Sequence, residues 1–298
     1  MQNSDIVLRL GLPKGRMQNG VFGLLGAAGL PVQADERGYR PFVGYTSRGI
    51  FFETKVLKPQ NIVEMLDAGS RDLGFAGADW VRELGADLVE LLDTGMDRVR
   101  LVAAAPEGLL EAGALPSAAR LGRPLVVASE YESIAREWMS RNAPGARFVR
   151  SYGATEVFPP EDADVIVDNS ATGSTLRANG LRIVDRIFES STRLYASKAA
   201  MADPARAKSA ESFALILSSV LEARRRVMIE VNVSAANLTT LTNWLPCMRS
   251  PTVSPLQGGL AFAVKVAAPR ENLAELIPEI KRLGGTDIVV TELSQLVP

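Results

Sequence analysis

The sequence of 298 residues contains no histidine. That excludes Ser-His-Asp triads, Cys-His nucleophile pairs, histidine metal sites and histidine general bases. Any chemistry must use carboxylates, lysine, arginine, hydroxyls, backbone dipoles or a metal held by oxygen ligands. Cysteine is nearly absent too: Cys247 stands alone, so no intrachain disulfide forms, in keeping with a reducing compartment. No apolar run approaches the ~20 residues of a membrane helix. The stretch Met1–Leu10 carries Asp5 and Arg9 and no basic region ahead of an apolar core, so no secretory signal is expected. There is no large excess of either charge: the formal net charge is −1, which argues against an extended nucleic-acid surface while leaving room for a local basic pocket.

What is present is a globular composition. Hydrophobic residues make up 47% of a chain long enough for two or three domains. Strand-like runs alternate with helical stretches, which indicates an α/β architecture with a largely parallel sheet. Val7–Leu12 reads as a strand, followed by a helical stretch over Val21–Ala28. Ile50–Leu57 is a second strand, and Pro59 opens a helix that ends near Ala68 at Gly69. Asp72–Gly77, Val99–Ala105 and Leu125–Ala128 read as strands, and Glu132–Asn142 as a helix. Asp203-Pro204 opens a long helix to about Arg226, whose closing arginines suit a helix C-terminus.

Beyond Arg226 the texture changes to strand Val227–Val233, helix Ala235–Leu245, strand Leu260–Ala267, helix Asn272–Leu283 and strand Ile288–Thr291. This βαββαβ-like order predicts a small ferredoxin-like domain, with Pro278 bending its second helix or marking an early turn.

The densest chemistry lies in Asp168-Asn-Ser-Ala-Thr-Gly-Ser-Thr-Leu-Arg-Ala-Asn-Gly-Leu181. It follows the apolar run Ala163–Val167 and precedes Leu181–Phe188, whose spacing fits a helix or a strand edge. Hydroxyls and a glycine in a strand-to-helix turn can cradle a phosphate, and an acid at the strand end can hold ribose hydroxyls. The same residue types also make ordinary turns and caps. The segment lacks the Gly-Lys-Ser/Thr of a P-loop and the three spaced glycines of a dinucleotide fingerprint.

Four motifs in order now carry a resemblance. Asp168–Leu181 closely resembles the phosphoribosyl-pyrophosphate loop of ATP phosphoribosyltransferases. Leu12-Pro-Lys-Gly-Arg16 resembles the N-terminal substrate motif, and Asp72-Leu-Gly-Phe-Ala-Gly-Ala-Asp79 the glycine-rich strand and turn. Ser250-Pro-Thr-Val-Ser-Pro-Leu256 resembles the signature of the C-terminal regulatory domain of the long form, and is equally a proline-fixed loop entering a strand. The resemblance implies a two-lobed, periplasmic-binding-protein-like catalytic core plus the ferredoxin-like regulatory domain. Lobe I would hold 1–103 and 198–225, lobe II 104–197, and the regulatory domain 226–298. It further implies cytoplasmic transfer of a phosphoribosyl group to adenine N1 of ATP, the first step of histidine biosynthesis, with Mg2+ as cofactor. Histidine would act as feedback inhibitor, and the chain would form dimers or hexamers.

Carried onto this sequence, the resemblance assigns the 5-phosphate of the donor to Thr172, Gly173, Ser174 and Thr175. Asp168 would serve the ribose hydroxyls or the metal, and the developing cation, with Glu156 as a second acid. Lys14, Gly15, Arg16, Lys58, Asp79, Arg98 and Arg100 would meet ATP or pyrophosphate; alternation puts Arg98 and Arg100 on one face of their strand. Asn232, Met248, Ser250 and Thr252 would meet the effector.

Some positions depart from the pattern. Ala171 stands where serine is common, Asn169-Ser170 replaces an apolar pair, and Phe158-Pro-Pro-Glu-Asp162 is shorter and poorer in glycine. Asn232 stands where some members have aspartate, which predicts weaker histidine inhibition, and Cys247-Met248 replaces a common Gly-Leu. Two other readings stay open: a non-catalytic ligand-sensing paralogue, and a transferase with another acceptor.

Overall fold

The computed structural model describes residues 6–33, 38–44 and 50–298. Its contacts group Met1–Gly23 with Leu30–Glu211 in one unit and Leu24–Gly29 with Ser212–Pro298 in a second.

The first unit opens with β1 (Ile6–Pro13) and α1 (Arg16–Ala27), the short pair β2 (Val32–Gln33) and β3 (Phe42–Val43), then β4 (Ile50–Leu57) and α2 (Pro59–Asp67). β5 (Leu73–Gly77), α3 (Ala78–Leu84), β6 (Val89–Pro106), α4 (Ala118–Leu121), β7 (Val126–Ser129), α5 (Glu132–Asn142) and β8 (Arg147–Arg150) follow. β9 (Val165–Ser170), α6 (Ser174–Ala178), β10 (Leu181–Ala196) and α7 (Lys198–Ala202) lead into α8 (Pro204–Arg225). Asp203 caps α8, accepting from the N–H groups of Ala205 and Arg206 at 2.9 and 3.2 Å, with Pro204 at the first position where its missing N–H costs nothing.

Among the described residues one sheet of eight strands runs β4-β1-β5-β10-β6-β9-β7-β8. It is not largely parallel, as the alternation of elements suggests. Parallel trios β4-β1-β5 and β9-β7-β8 flank β10 and β6, which run antiparallel to each other and to their outer neighbours β5 and β9. The alternation of elements does not encode strand direction: β9 and β10 run the same way, and β6 lies between them in the opposite direction, so it pairs antiparallel with both. The run at Leu181, whose spacing left helix and strand edge open, is the strand β10 through its pairing with β6. β6 begins ten residues before the apolar run at Val99, because its first half carries Asp93, Asp97 and Arg98 and forms strand through pairing with β10.

Continuous apolar runs occupy the strands covered on both faces. Val165, Ile166 and Val167 are fully buried, as are Leu73 and Phe75. Gly74 earns its place in β5 by close approach: a Cβ there would collide with the Ile62 side chain of α2. Just before β5, Asp72 is buried and pairs with Arg9 at 2.7 Å and Arg206 at 2.8 Å, tying the middle of β1 to the starts of β5 and α8.

In the second unit β11 (Arg226–Ser234), α9 (Leu238–Trp244), β12 (Thr252–Pro255), β13 (Ala261–Pro269), α10 (Leu273–Arg282) and β14 (Gly285–Glu292) form a sheet ordered β12-β13-β11-β14, every pair antiparallel. This is the ferredoxin-like order. Val227, Ile229, Val231 and Val233 point to the core with Leu241, Leu276 and Ile280 of the helices. α9 starts later than expected, since Ala235-Ala236-Asn237 form a turn closed by Asn237 N–H on Ser234 O at 3.1 Å. α10 continues through Pro278, which sits in its second turn and forfeits one backbone bond, to Ala274.

Candidate active site

Parallel pairing of β7 with β9 sets Ser129 beside Val167, so the next residues, Glu130 and Asp168, emerge together at the C-terminal edge of the sheet. Ser129 Oγ donates to Val167 O at 2.6 Å and braces that junction. Asp168 Oδ1 accepts the Asn169 N–H at 2.7 Å. Burial pushes the Asp168 carboxyl up to about 6; the Asn169 N–H and the Thr155 hydroxyl pull against this, while the charges of Glu130 and Glu156 add to it.

The chain then turns. Gly173 holds φ +74°, and a Cβ there would also press on Arg177 Nη1 at 3.0 Å. Thr172 Oγ1 and Ser174 Oγ share a hydrogen bond of 2.9 Å, and Arg177 Nη1 donates to Thr172 O at 3.2 Å. Thr172, Ser174 and Thr175 remain exposed while Gly173 is buried. Together with Arg16, Glu130, Thr155, Glu156 and Asp168 they line a cleft of about 430 Å³. The cleft thus brings three carboxylates together with a hydroxyl-lined turn.

A second cleft of about 420 Å³ meets the first at Ala171 and is lined by Arg98, Arg100, Arg193, Asp93, Glu189 and Ser191. The register places Arg100 beside Ser170 of β9 and Glu189 of β10. Burial alone would raise the Asp93 carboxyl, but bonds from Ser191 Oγ and Gly95 N–H and the charges of Arg193 and Arg98 hold it below the usual range. Arg193 also pairs with Glu90 at 2.7 Å. This cleft offers fixed cations, the chemistry a polyphosphate needs.

Of the N-terminal turn, Arg16 lines the first cleft. β1 and β4 end side by side, with Lys14 N–H on Leu57 O at 2.7 Å, so Lys14 and Lys58 leave adjacent strand ends. Both side chains are exposed; Lys14 Nζ lies 5.7 Å from the centre of the Tyr39 ring, and Gly15 turns the chain at φ +83°. Neither lysine is among the residues around the two clefts. Asp79 lies behind them, buried, where Ser190 Oγ and Tyr131 OH each donate to it at 2.7 Å and Asn169 Nδ2 reaches Tyr131 OH at 3.1 Å. In the second unit Asn232 sits on β11, Thr252 opens β12, and Met248 and Ser250 precede it. Glu130, Thr155, Asp93 and Arg193 are not singled out by motif. Glu130 had a signal: it follows an apolar strand, as Asp168 follows Ala163–Val167.

The sequence model of a family described as ATP phosphoribosyltransferase matches residues 58–218, and one described as HisG, C-terminal domain, matches 223–295. The ATP phosphoribosyltransferase of Chlorobium phaeovibrioides is 35% identical over the full length of both chains.

The chain belongs to the ATP phosphoribosyltransferase family.

It has the long form, with the C-terminal domain present. The ATP phosphoribosyltransferases of Chlorobaculum parvum and Pelotomaculum thermopropionicum are 35% and 34% identical, the latter over 98% of this chain and 99% of its own. The solved ATP phosphoribosyl transferase (HisG:HisZ) complex from Thermotoga maritima shares the fold, with a TM-score of 0.60 over 72% of this chain and 98% of that one at 24% identity. The activity of an ATP phosphoribosyltransferase is pentosyl transfer: adenine N1 of ATP forms a bond to C1 of phosphoribosyl pyrophosphate, and the bond from C1 to the pyrophosphate oxygen breaks. This is the first step of histidine biosynthesis. No helix among the described residues is long and apolar enough to cross a membrane.

Proposed function

We propose that the cleft beneath Asp168 is the donor-sugar site of this transferase. The 5-phosphate lies on Thr172, Gly173, Ser174 and Thr175, and Asp168 faces the ribose, with Glu156 as the second acid. The observation that supports this most is the acid cluster: Asp168, Glu130 and Glu156 line one cleft together with the hydroxyl turn, and the charges of the two glutamates act on Asp168. Carboxylates crowded in a partly buried place are short of positive charge. As pyrophosphate departs, C1 acquires oxocarbenium character and supplies that charge in the transition state more than in the ground state. Adenine N1 carries its own lone pair, so no general base is needed and catalysis rests on positioning and electrostatics.

Two polyanions must share the site. Arg16, Arg98 and Arg100, with Lys14 and Lys58 at the neighbouring strand ends, offset their repulsion. Asp79 acts from behind, through the hydroxyls it holds. The donor set is all oxygen, which fits a hard divalent cation held by one or two carboxylates and by substrate phosphates. Asp168 would hold Mg2+, and a bound ion would supply charge neutralisation for the pyrophosphate.

The catalytic unit divides into lobe I, 1–103 with 198–225, and lobe II, 104–197, ahead of a regulatory domain at 226–298. The regulatory domain binds histidine through Asn232, Met248, Ser250 and Thr252 as feedback inhibitor. The enzyme works in the cytoplasm as a dimer or hexamer.

The test mixes the chain with ATP, phosphoribosyl pyrophosphate and Mg2+ and follows the N1-ribosylated adenine chromophore. Asp168→Ala and Thr172→Ala are expected to lower kcat/KM by at least tenfold each. Turnover like that of the parent in both would remove the site assignment while leaving the activity.

A further inference from the structure

On β11 the core residues Val227 to Val233 alternate with Met228, Glu230 and Asn232, which face the other side of the four-stranded sheet. Pairing with β14 is regular as far as Glu230 opposite Val289, and then slips: Asn232 lies opposite Thr286. Two steps along β11 match three along β14, so β14 carries a bulge. Asp287 within it has φ +49°, a conformation that an aspartate adopts at some cost. Bulges re-aim side chains, and the product here is specific. Asn232 Nδ2 donates to Asp287 Oδ2 at 3.0 Å, and Thr286 Oγ1 lies 3.1 Å from the same oxygen. Bonds from Asn232 and then Thr286 hold the Asp287 carboxyl below the usual range, with Lys281 adding to the effect, so it is ionised at neutral pH.

The valences then decide what the pair offers. Asn232 directs one of its two amide N–H groups at Asp287, and its amide oxygen remains an acceptor. Asp287 Oδ2 is occupied, which leaves Oδ1 and the full negative charge exposed. An amide oxygen beside a carboxylate oxygen is a receptor for an ammonium group. The charge that Asn232 lacks is thus present one strand away.

We infer that Asp287 is the charged partner of the effector's α-ammonium group, held in place by Asn232 and Thr286. The inference rests on the reading of Asn232, Ser250 and Thr252 as an amino-acid effector site, and it replaces the weaker inhibition that Asn232 by itself predicts. Asn232 becomes a positioning residue, and the effector meets one carboxylate, as it would with an aspartate on β11.

Calorimetric titration of the full chain with L-histidine tests it. Asp287→Asn keeps a residue that tolerates the left-handed region, so the bulge survives. Affinity is expected to fall at least tenfold in D287N and to return to within about threefold of the parent in N232D/D287N, where the charge moves back to β11. Imidazole-propionate, which lacks the ammonium group, is expected to bind the parent and D287N alike. Undiminished histidine binding in D287N, or no recovery in the double variant, overturns the role of Asp287 and leaves the effector site standing. A parent chain that takes up no histidine at millimolar concentration overturns the effector site itself, and the inference with it.

Discussion

Tyr131 donates its hydroxyl hydrogen to Asp79 across 2.7 Å while the same oxygen receives Asn169 Nδ2 at 3.1 Å. Burial first, and then the Asp79 charge, raise the Tyr131 phenol far above its ordinary range, so the proton stays on the tyrosine and its direction is settled. Trp80 stacks on the ring at 4.6 Å. Through these bonds the strand end beside Asp168 is joined to Ser190, where β10 borders the arginine-lined cleft.

Tyr131→Phe removes one donor from a buried carboxylate and leaves Asn169 without its acceptor. A loss of about 1–3 kcal/mol in unfolding free energy is expected. Denaturant titration of parent and variant checks it; equal midpoints would mean that water or a shifted serine replaces the phenol.

Asp168 sets a pH dependence with two signs. Its carboxyl titrates at about 6 in the folded chain against an ordinary 3.8, so the folded state holds the proton more tightly. The contribution of Asp168 to stability is therefore greatest below about pH 4, falls as pH rises from there to about 6, and is level above. Activity runs the other way: the ionised form is the useful one, so kcat/KM should fall as pH drops through about 6. Asp168→Asn is expected to lose activity yet gain on the order of 2 kcal/mol of stability at pH 7, from ~1.4 kcal/mol per pKa unit discounted for residual solvent. Parallel pH–rate and pH–stability profiles decide it. An acid limb that survives unchanged in the residual activity of the variant would assign that limb to the substrate.

Gly173→Ala meets two obstacles, a positive φ and the Arg177 guanidinium. The turn should open by a few tenths of an ångström, raising the KM for phosphoribosyl pyrophosphate about tenfold with a smaller effect on the KM for ATP. Steady-state kinetics with each substrate varied separates the two, and an equal rise in both would show a general loosening.

Asp72→Asn leaves Arg9 and Arg206 facing a neutral group at a buried position. Burial alone would raise the Asp72 carboxyl, but the bonds and charges of the two arginines hold it below the ordinary value. Its contribution is present above about pH 4 and lost as pH falls through the depressed value. A loss of about 3 kcal/mol at pH 7 is expected, shrinking toward acid pH; thermal melts at pH 7 and near pH 3 check both parts.

The elements that carry the site were legible where chemistry is local. Pro59 and Asp203-Pro204 open helices where a proline can, the apolar run before Asp168 is a buried strand, and the hydroxyl turn follows it. The partners of that turn were not legible. Glu130 stands 38 positions before Asp168, and only the parallel register of β7 with β9 makes them neighbours. Asp79 carries the same motif signal as a cleft residue, yet its carboxylate is turned inward, because Gly77 has no side chain to block it and Ser190 and Tyr131 satisfy it.

The sequence by itself determined the family, the order of the motifs and the absence of imidazole chemistry, since these depend on residue type and short spacing. Tertiary structure decided which acids share a cleft, which arginines face it, and that a bulge in β14 returns a carboxylate to Asn232. Those outcomes depend on strand direction and register, set by pairing and packing between segments far apart in the chain, and no local pattern encodes them.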